Sequence, residues 1–153
     1  METNLEWDVL DDMPAAESGI VESGLSVSNH ASAPLRDVRG LSVFARRPAG
    51  DVVGGAVGRT WGACCELRIL WVDESLRKQG IGAGLVRRFE ERARQRGCTV
   101  FYLETYSFQA PRFYRELGYV AEHEIDGYPD GIVKYTMVRR FANGEADPGG
   151  DVR

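Results

Sequence analysis

At 153 residues, 43% hydrophobic and 27% charged, the chain has the size of one domain with its own core and is too apolar for wholesale disorder. No run of about 18 apolar residues occurs, and the opening METNLEWDVLDD is acidic where a secretory leader is basic, so the expected setting is cytoplasmic, with no membrane partner. The net charge of −4 hides a basic island, because residues 77–97 carry seven Lys and Arg against two Glu, +5, leaving −9 elsewhere. Such an island suits an anionic ligand better than nucleic acid.

Leu5, Trp7 and Val9 alternate with Glu6, Asp8 and Leu10 as a half-buried first strand does. Residues 15–27 hold a weak helical pattern interrupted by Gly19 and Gly24, which predicts one or two short helices. Residues 28–40 are loop by composition. Residues 41–45 and 52–58 read as a hairpin turning through Pro48, Ala49, Gly50 and Asp51, and Gly54 and Gly55 point to close packing in its second strand. Cysteines 64, 65 and 98 have no metal-ligand spacing and read as small hydrophobes in a reducing compartment; His30 and His123 add no metal site.

Residues 64–72 form the fourth predicted strand. A turn with Gly80, Gly82 and Gly84 follows, then a helix with Ile81, Leu85, Phe89 and Ala93 on one stripe, ended by Gly97. Residues 99–105 are the fifth strand, and a strand–helix–strand of this length predicts a right-handed parallel crossover joining it to the fourth. Residues 109–117 are a short helix, with Ser107 as N-cap and Pro111 in the first turn. Residues 120–126 and 132–139 close the fold as a hairpin around Tyr128, Pro129, Asp130 and Gly131. One domain is expected over residues 1–142 and a disordered tail over residues 143–153.

Strand, glycine turn and helix is an arrangement that offers unpaired helix N-terminal amides to a phosphate. The dinucleotide fingerprint needs glycine where Leu85 stands, and the Gly-Lys-Ser/Thr of the nucleoside-triphosphate loop is absent. What remains is Arg77-x-x-Gly80-x-Gly82, followed downstream by SFQAPRFYRELGY, residues 107–119, with Tyr114-x-x-x-Gly118-Tyr119 inside it. The first motif resembles the acyl-CoA signature of the GNAT superfamily of N-acyltransferases, and the second resembles that superfamily's Tyr-x-x-x-Gly-Phe/Tyr helix ending. The resemblance covers residues 52–141.

It implies an α/β GNAT fold: a mixed, mostly antiparallel sheet, parallel at the fourth and fifth strands and flanked by helices. The implied activity is transfer of acetyl from acetyl-CoA, as co-substrate and without metal, to a primary amine. By the same resemblance the amides of Gln79, Gly80, Ile81 and Gly82 hold the pyrophosphate, where a Cβ on the glycines would keep phosphate away. Arg77 and Lys78 add charge. Leu70 and Val72 give main-chain bonds to the pantetheine arm in a gap between splayed strands, and Ser107 stands where relatives use asparagine to bond that arm. Lys78 itself stands where relatives carry glycine.

Tyr114 is implied as the acid for the leaving thiolate, protonated at neutral pH as an ordinary phenol is; its other reading is a core aromatic beside Phe113 and Tyr119. Glu66, sharing a side with Arg68 and Leu70 by alternation, resembles the strand-four glutamate with which some relatives collect the amine proton and is so implied as the base. Its other reading is a partner of Arg68 or an end-of-strand surface carboxylate; Glu104 is a lesser candidate. The acceptor expected is a small-molecule amine, and the −9 balance outside the basic island favours a cationic one. Acetylation of a protein or peptide, a non-catalytic acyl-CoA sensor and a homodimer stay open.

Overall fold

The computed structural model describes residues 5–31 and 33–142, so the tail expected over residues 143–153 lies outside it. The described residues divide between Arg36 and Asp37 into two compact units. In the first, residues 5–10 form no ladder, contrary to the expected first strand. Trp7 is 84% and Val9 93% exposed; alternation builds a strand only where a neighbouring edge and a core accept it. A single helix, α1 (Ala15–His30), stands where one or two short ones were expected. Gly19 and Gly24 face open space, so they lower its propensity without interrupting it.

Among the described residues, the second unit holds six strands: β1 (Arg39–Arg46), β2 (Val52–Trp61), β3 (Cys64–Val72), β4 (Val100–Tyr106), β5 (Val120–Ile125) and β6 (Lys134–Arg140), in the order β1-β2-β3-β4-β6-β5. All neighbours are antiparallel except β3 and β4. This is the parallel pair predicted from sequence. It is third and fourth rather than fourth and fifth because residues 5–10 contribute no strand. Helix α2 (Ile81–Gln95) makes the crossover, and α3 (Pro111–Glu116) follows β4.

The apolar stripe of α2 packs as its spacing requires. Leu85, Val86, Phe89 and Ala93 are buried against Ala56, Leu67, Phe101, Leu103 and Met137, and each large side chain contributes about 1.5–3 kcal/mol on burial. The helix ends in a Schellman motif: the Cys98 amide reaches the Ala93 carbonyl (3.0 Å) and the Gly97 amide the Arg94 carbonyl (2.9 Å), with Gly97 at φ 92°. Close packing in β2 is also observed. A Cβ on Gly55 would meet the Phe44 ring at 2.9 Å, and one on Gly54 the Leu85 side chain at 3.2 Å.

Glu90 also lies on the buried face of α2. Its carboxylate accepts from the Tyr119 hydroxyl (2.7 Å) and pairs with the Arg139 guanidinium (2.7 Å), which satisfies a charge that burial would otherwise penalise. Arg139 and Arg94 both lie over the Phe141 ring, 4.3 and 4.4 Å from its centre, tying α2 to the end of β6.

Candidate active site

β3 and β4 pair only at Cys64–Val100, Cys65–Phe101 and Glu66–Tyr102, although β3 runs on to Val72 and β4 to Tyr106. Past the last pair the two strands share no ladder, which leaves a wedge between them. A bulge shapes its β3 side: Val57 of β2 faces Ile69 while Gly58 faces Leu67, so Arg68 has no partner of its own. Gly58 is needed there, because a Cβ on it would stand 1.8 Å from the Glu66 carbonyl oxygen.

The extra residue reverses the alternation of β3. Cys65 and Leu67 face the core before it, and Leu70 and Val72 pack on the core after it. Glu66 therefore faces away from α2 and does not share a side with Leu70, which corrects the alternation argument. Main-chain direction follows from one bond. The Asp73 amide donates to the Val53 carbonyl (2.8 Å), so Trp71 and Ile69, in phase with it, turn their main-chain groups toward β2. Leu70 and Val72 turn theirs into the wedge, where the Val72 carbonyl accepts from Arg77 Nε (3.2 Å).

At the open end of the wedge the chain turns into α2 through two left-handed residues, Lys78 (φ 60°) and Gly80 (φ 78°). Glycine takes this conformation freely, whereas lysine bears a cost of about 1–2 kcal/mol. Gly80 is the N-cap and lends no side chain to the helix. The first helical bond runs from the Gly84 amide to the Gly80 carbonyl (3.0 Å), so the amides of the first turn stay available at the positive end of the helix dipole. A Cβ on Gly82 would lie 3.4 Å from the Phe113 ring, an ordinary contact. Gln79, Gly80 and Ile81 also line a cleft of about 370 Å³ together with Val43, Ala45 and Arg88.

α3 starts with Pro111 in its first turn and has Ala110, not Ser107, as N-cap. The Ser107 hydroxyl instead accepts from the Val133 amide (3.1 Å), and the Ser107 amide donates to the Val133 carbonyl (2.8 Å). The far end of α3 explains the spacing of the second motif. The Tyr119 amide bonds the Tyr114 carbonyl (3.0 Å) and the Gly118 amide the Arg115 carbonyl (3.0 Å), with Gly118 at φ 94°. That is a second Schellman motif, and it brings the Tyr114 and Tyr119 rings within 5.9 Å.

Tyr114 is buried, with its ring against those of Phe113 and Tyr119. Burial alone pushes its phenol up to about 12, well above the ordinary value of about 10. Glu66 is bound to Arg59, not Arg68, with Nε to Oε2 at 2.6 Å across the β2–β3 pair. Glu104 is paired with Lys134 (2.8 Å). Cys65 and Cys98 are buried, and burial raises both thiols, Cys65 to about 12, which fits inert core residues. Among the described residues no helix is long and apolar enough to cross a membrane.

A glycine-opened helix beside parting parallel strands, with a buried tyrosine on the next helix, is the framework of an acyl-transferring enzyme. Residues 8–119 match the acetyltransferase (GNAT) family; the chain belongs to that family and is an acyltransferase. It is 37% identical over 112 residues to the blasticidin-S acetyltransferase of Streptomyces morookaense, covering 71% of this chain and 82% of that one. A crystal structure of an Agrobacterium tumefaciens protein, provisionally named an acetyltransferase, superposes with TM-score 0.76 at 28% identity, over 90% of this chain and all (100%) of the other. A Bacillus anthracis protein provisionally named a streptothricin acetyltransferase, solved with acetyl coenzyme A, shares the fold at TM-score 0.59 and 19% identity, over 67% of this chain and 62% of its own.

Proposed function

We propose that this acetyltransferase moves acetyl from acetyl-CoA to the primary amine of a small molecule, with residues 1–142 acting as one domain. The wedge carries the reading. Main-chain groups of Leu70 and Val72 turn into an opening with no ladder partner, so an amide-bearing arm fits there as an added strand does. The adjoining amides of Gln79, Gly80, Ile81 and Gly82 suit a pyrophosphate, and Arg77 and Lys78 supply charge beside them. Ser107, whose oxygen accepts from Val133, keeps a proton to donate to the arm. The family match starts at residue 8 and so includes parts of both compact units, which supports a single domain. A relative named for blasticidin-S supports a small acceptor.

Acetyl-CoA supplies the acetyl group as a thioester. Glu66 lies on the sheet face away from α2 and Tyr114 on the α2 side, so an acyl group in the wedge has one on each side. An amide of β3 donates to the carbonyl oxygen as charge builds there. Glu66 takes the proton of the attacking amine, directly or through water, and Tyr114 donates to the departing sulfur. With its phenol near 12, full proton transfer to a thiolate of ordinary value (about 8.5) is uphill by roughly 5 kcal/mol. The hydroxyl therefore acts as a hydrogen-bond donor to sulfur, and solvent completes the protonation.

The test is thiol release from acetyl-CoA with a panel of small amines and of peptides with free N-termini, using wild type and Gly82→Val. Release with small amines is expected, with CoA affinity lost in a folded Gly82→Val. Release with peptides alone overturns the acceptor class; unchanged CoA affinity in the folded variant overturns the helix site.

A further inference from the structure

We infer that the rings at the C-terminal end of β4, Tyr106, Phe108 and Tyr128, with the acidic loop beside them, seat a second positively charged group of the acceptor, apart from the amine that is acetylated. The inference rests on the acetyl-transfer reading above and names the chemistry of its substrate. Position is the first argument. Phe101, Leu103 and Thr105 of β4 are buried toward the core, so Glu104 and Tyr106 point to the opposite face, the face of Glu66. Both lie beyond Tyr102, the last β4 residue paired with β3, and thus along the wedge.

The rings are the second argument. Phe108 is 67% exposed yet stacks on Tyr106 at 5.7 Å and 13°, and Tyr128 meets the same Tyr106 ring edge-on at 5.3 Å and 89°. A large aromatic held in a stack with most of its surface open offers a π face to a ligand. The platform is fixed in place, because Gln109 Oε1 accepts from the Tyr106 amide (2.9 Å) and the Thr105 hydroxyl (3.3 Å), while Ser107 is bonded twice to Val133.

Charge decides the occupant. The nearby cation, Lys134, is paired with Glu104 at 2.8 Å. Asp126 and Asp130, on the loop that carries Tyr128, are exposed and have no ion pair among the described residues. A cation over the Phe108 face gains both the ring quadrupole and this acidic surround, and a guanidinium also stacks flat on the ring.

The experiment is calorimetric titration of the CoA-loaded protein with 4-aminobutylguanidine, butylamine and benzylamine, in wild type and in Phe108→Ala, Phe108→Leu and Phe108→Tyr. Wild type should prefer the guanidine over butylamine by roughly 3- to 30-fold. Phe108→Ala and Phe108→Leu should erase the preference and Phe108→Tyr keep it, with thermal melts unchanged at so exposed a site. Equal affinities in wild type, a preference that survives in Phe108→Leu, or benzylamine binding tighter than the guanidine would overturn the inference. Thiol release from acetyl-CoA, read on the same samples, separates the two proposals. Charge preference with no thiol from any amine keeps the seat and overturns acetyl transfer to amines; thiol release without charge preference does the reverse.

Discussion

In the proposed mechanism Tyr114 serves packing and chemistry together: the Schellman turn at Gly118 holds its ring against Tyr119, and its hydroxyl is the group assigned to the departing sulfur. Tyr114→Phe keeps the ring, so acetyl-CoA binding should persist while single-turnover transfer slows by roughly 10²–10³-fold, the usual loss when one positioned hydrogen-bond donor is removed; wild-type rates in a folded variant would remove Tyr114 from the mechanism. The same hydroxyl affects alkaline stability. Folded Tyr114 titrates near 12 and the unfolded residue near 10, so the unfolded chain loses its proton first as pH rises. This share of stability is whole below about pH 10 and declines toward pH 12, by no more than about 3 kcal/mol. Tyr119, also raised by burial, declines in the same direction. Urea melts at pH 9 and 11.5 should show a shallower alkaline loss in Tyr114→Phe than in wild type. Lys78 gives the opposite case, a residue in glycine's conformation. Lys78→Gly should raise stability by up to about 1 kcal/mol, roughly 2–4 °C in Tm, and a lowered Tm would contradict the strain.

Among the elements, β3, α2 and β4 were legible in the sequence because each carries its own signal: an apolar run, a four-residue stripe with glycines at both ends, and β-branched and aromatic residues. The bulge at Arg68 was not, since its cause sits in another strand, at Gly58, and both Leu67 and Leu70 suit a core-facing position. Without the bulge, simple alternation places Glu66 on the side of Leu70, which the register contradicts. Ser107 has the chemistry of an N-cap, but its hydroxyl is taken by Val133, a partner 26 residues away. Glu90 follows Phe89 of the predicted stripe, yet its partners come from afar, Tyr119 from the turn before β5 and Arg139 from β6, so nothing local announced a buried carboxylate. Gly58→Ala should cost at least about 3 kcal/mol in denaturant unfolding, because the clash is with backbone that cannot yield without losing the bulge. A variant within 1 kcal/mol of wild type, roughly the ordinary cost of a point substitution, would mean the bulge relaxes freely.

On the scale of the whole molecule, the proposed function divides the charge between two ligands: Arg77 and Lys78, at the head of the basic island, are assigned to the phosphates of the acyl donor, and the acidic remainder to the acceptor. CoA affinity should therefore weaken with added salt more steeply than that of a pantetheine analogue without phosphates, and equal slopes would contradict this division. The position of the acyl donor decides whether the wedge and the start of α2 form one binding site. Backbone amide NMR during titration with acetyl-CoA addresses that directly. The largest shifts should fall on Leu70, Val72, Gln79, Gly80, Ile81 and Gly82, the β3 side of the wedge and the turn into α2. Shifts that leave Leu70 and Val72 untouched while another surface responds would show that the wedge does not hold the donor.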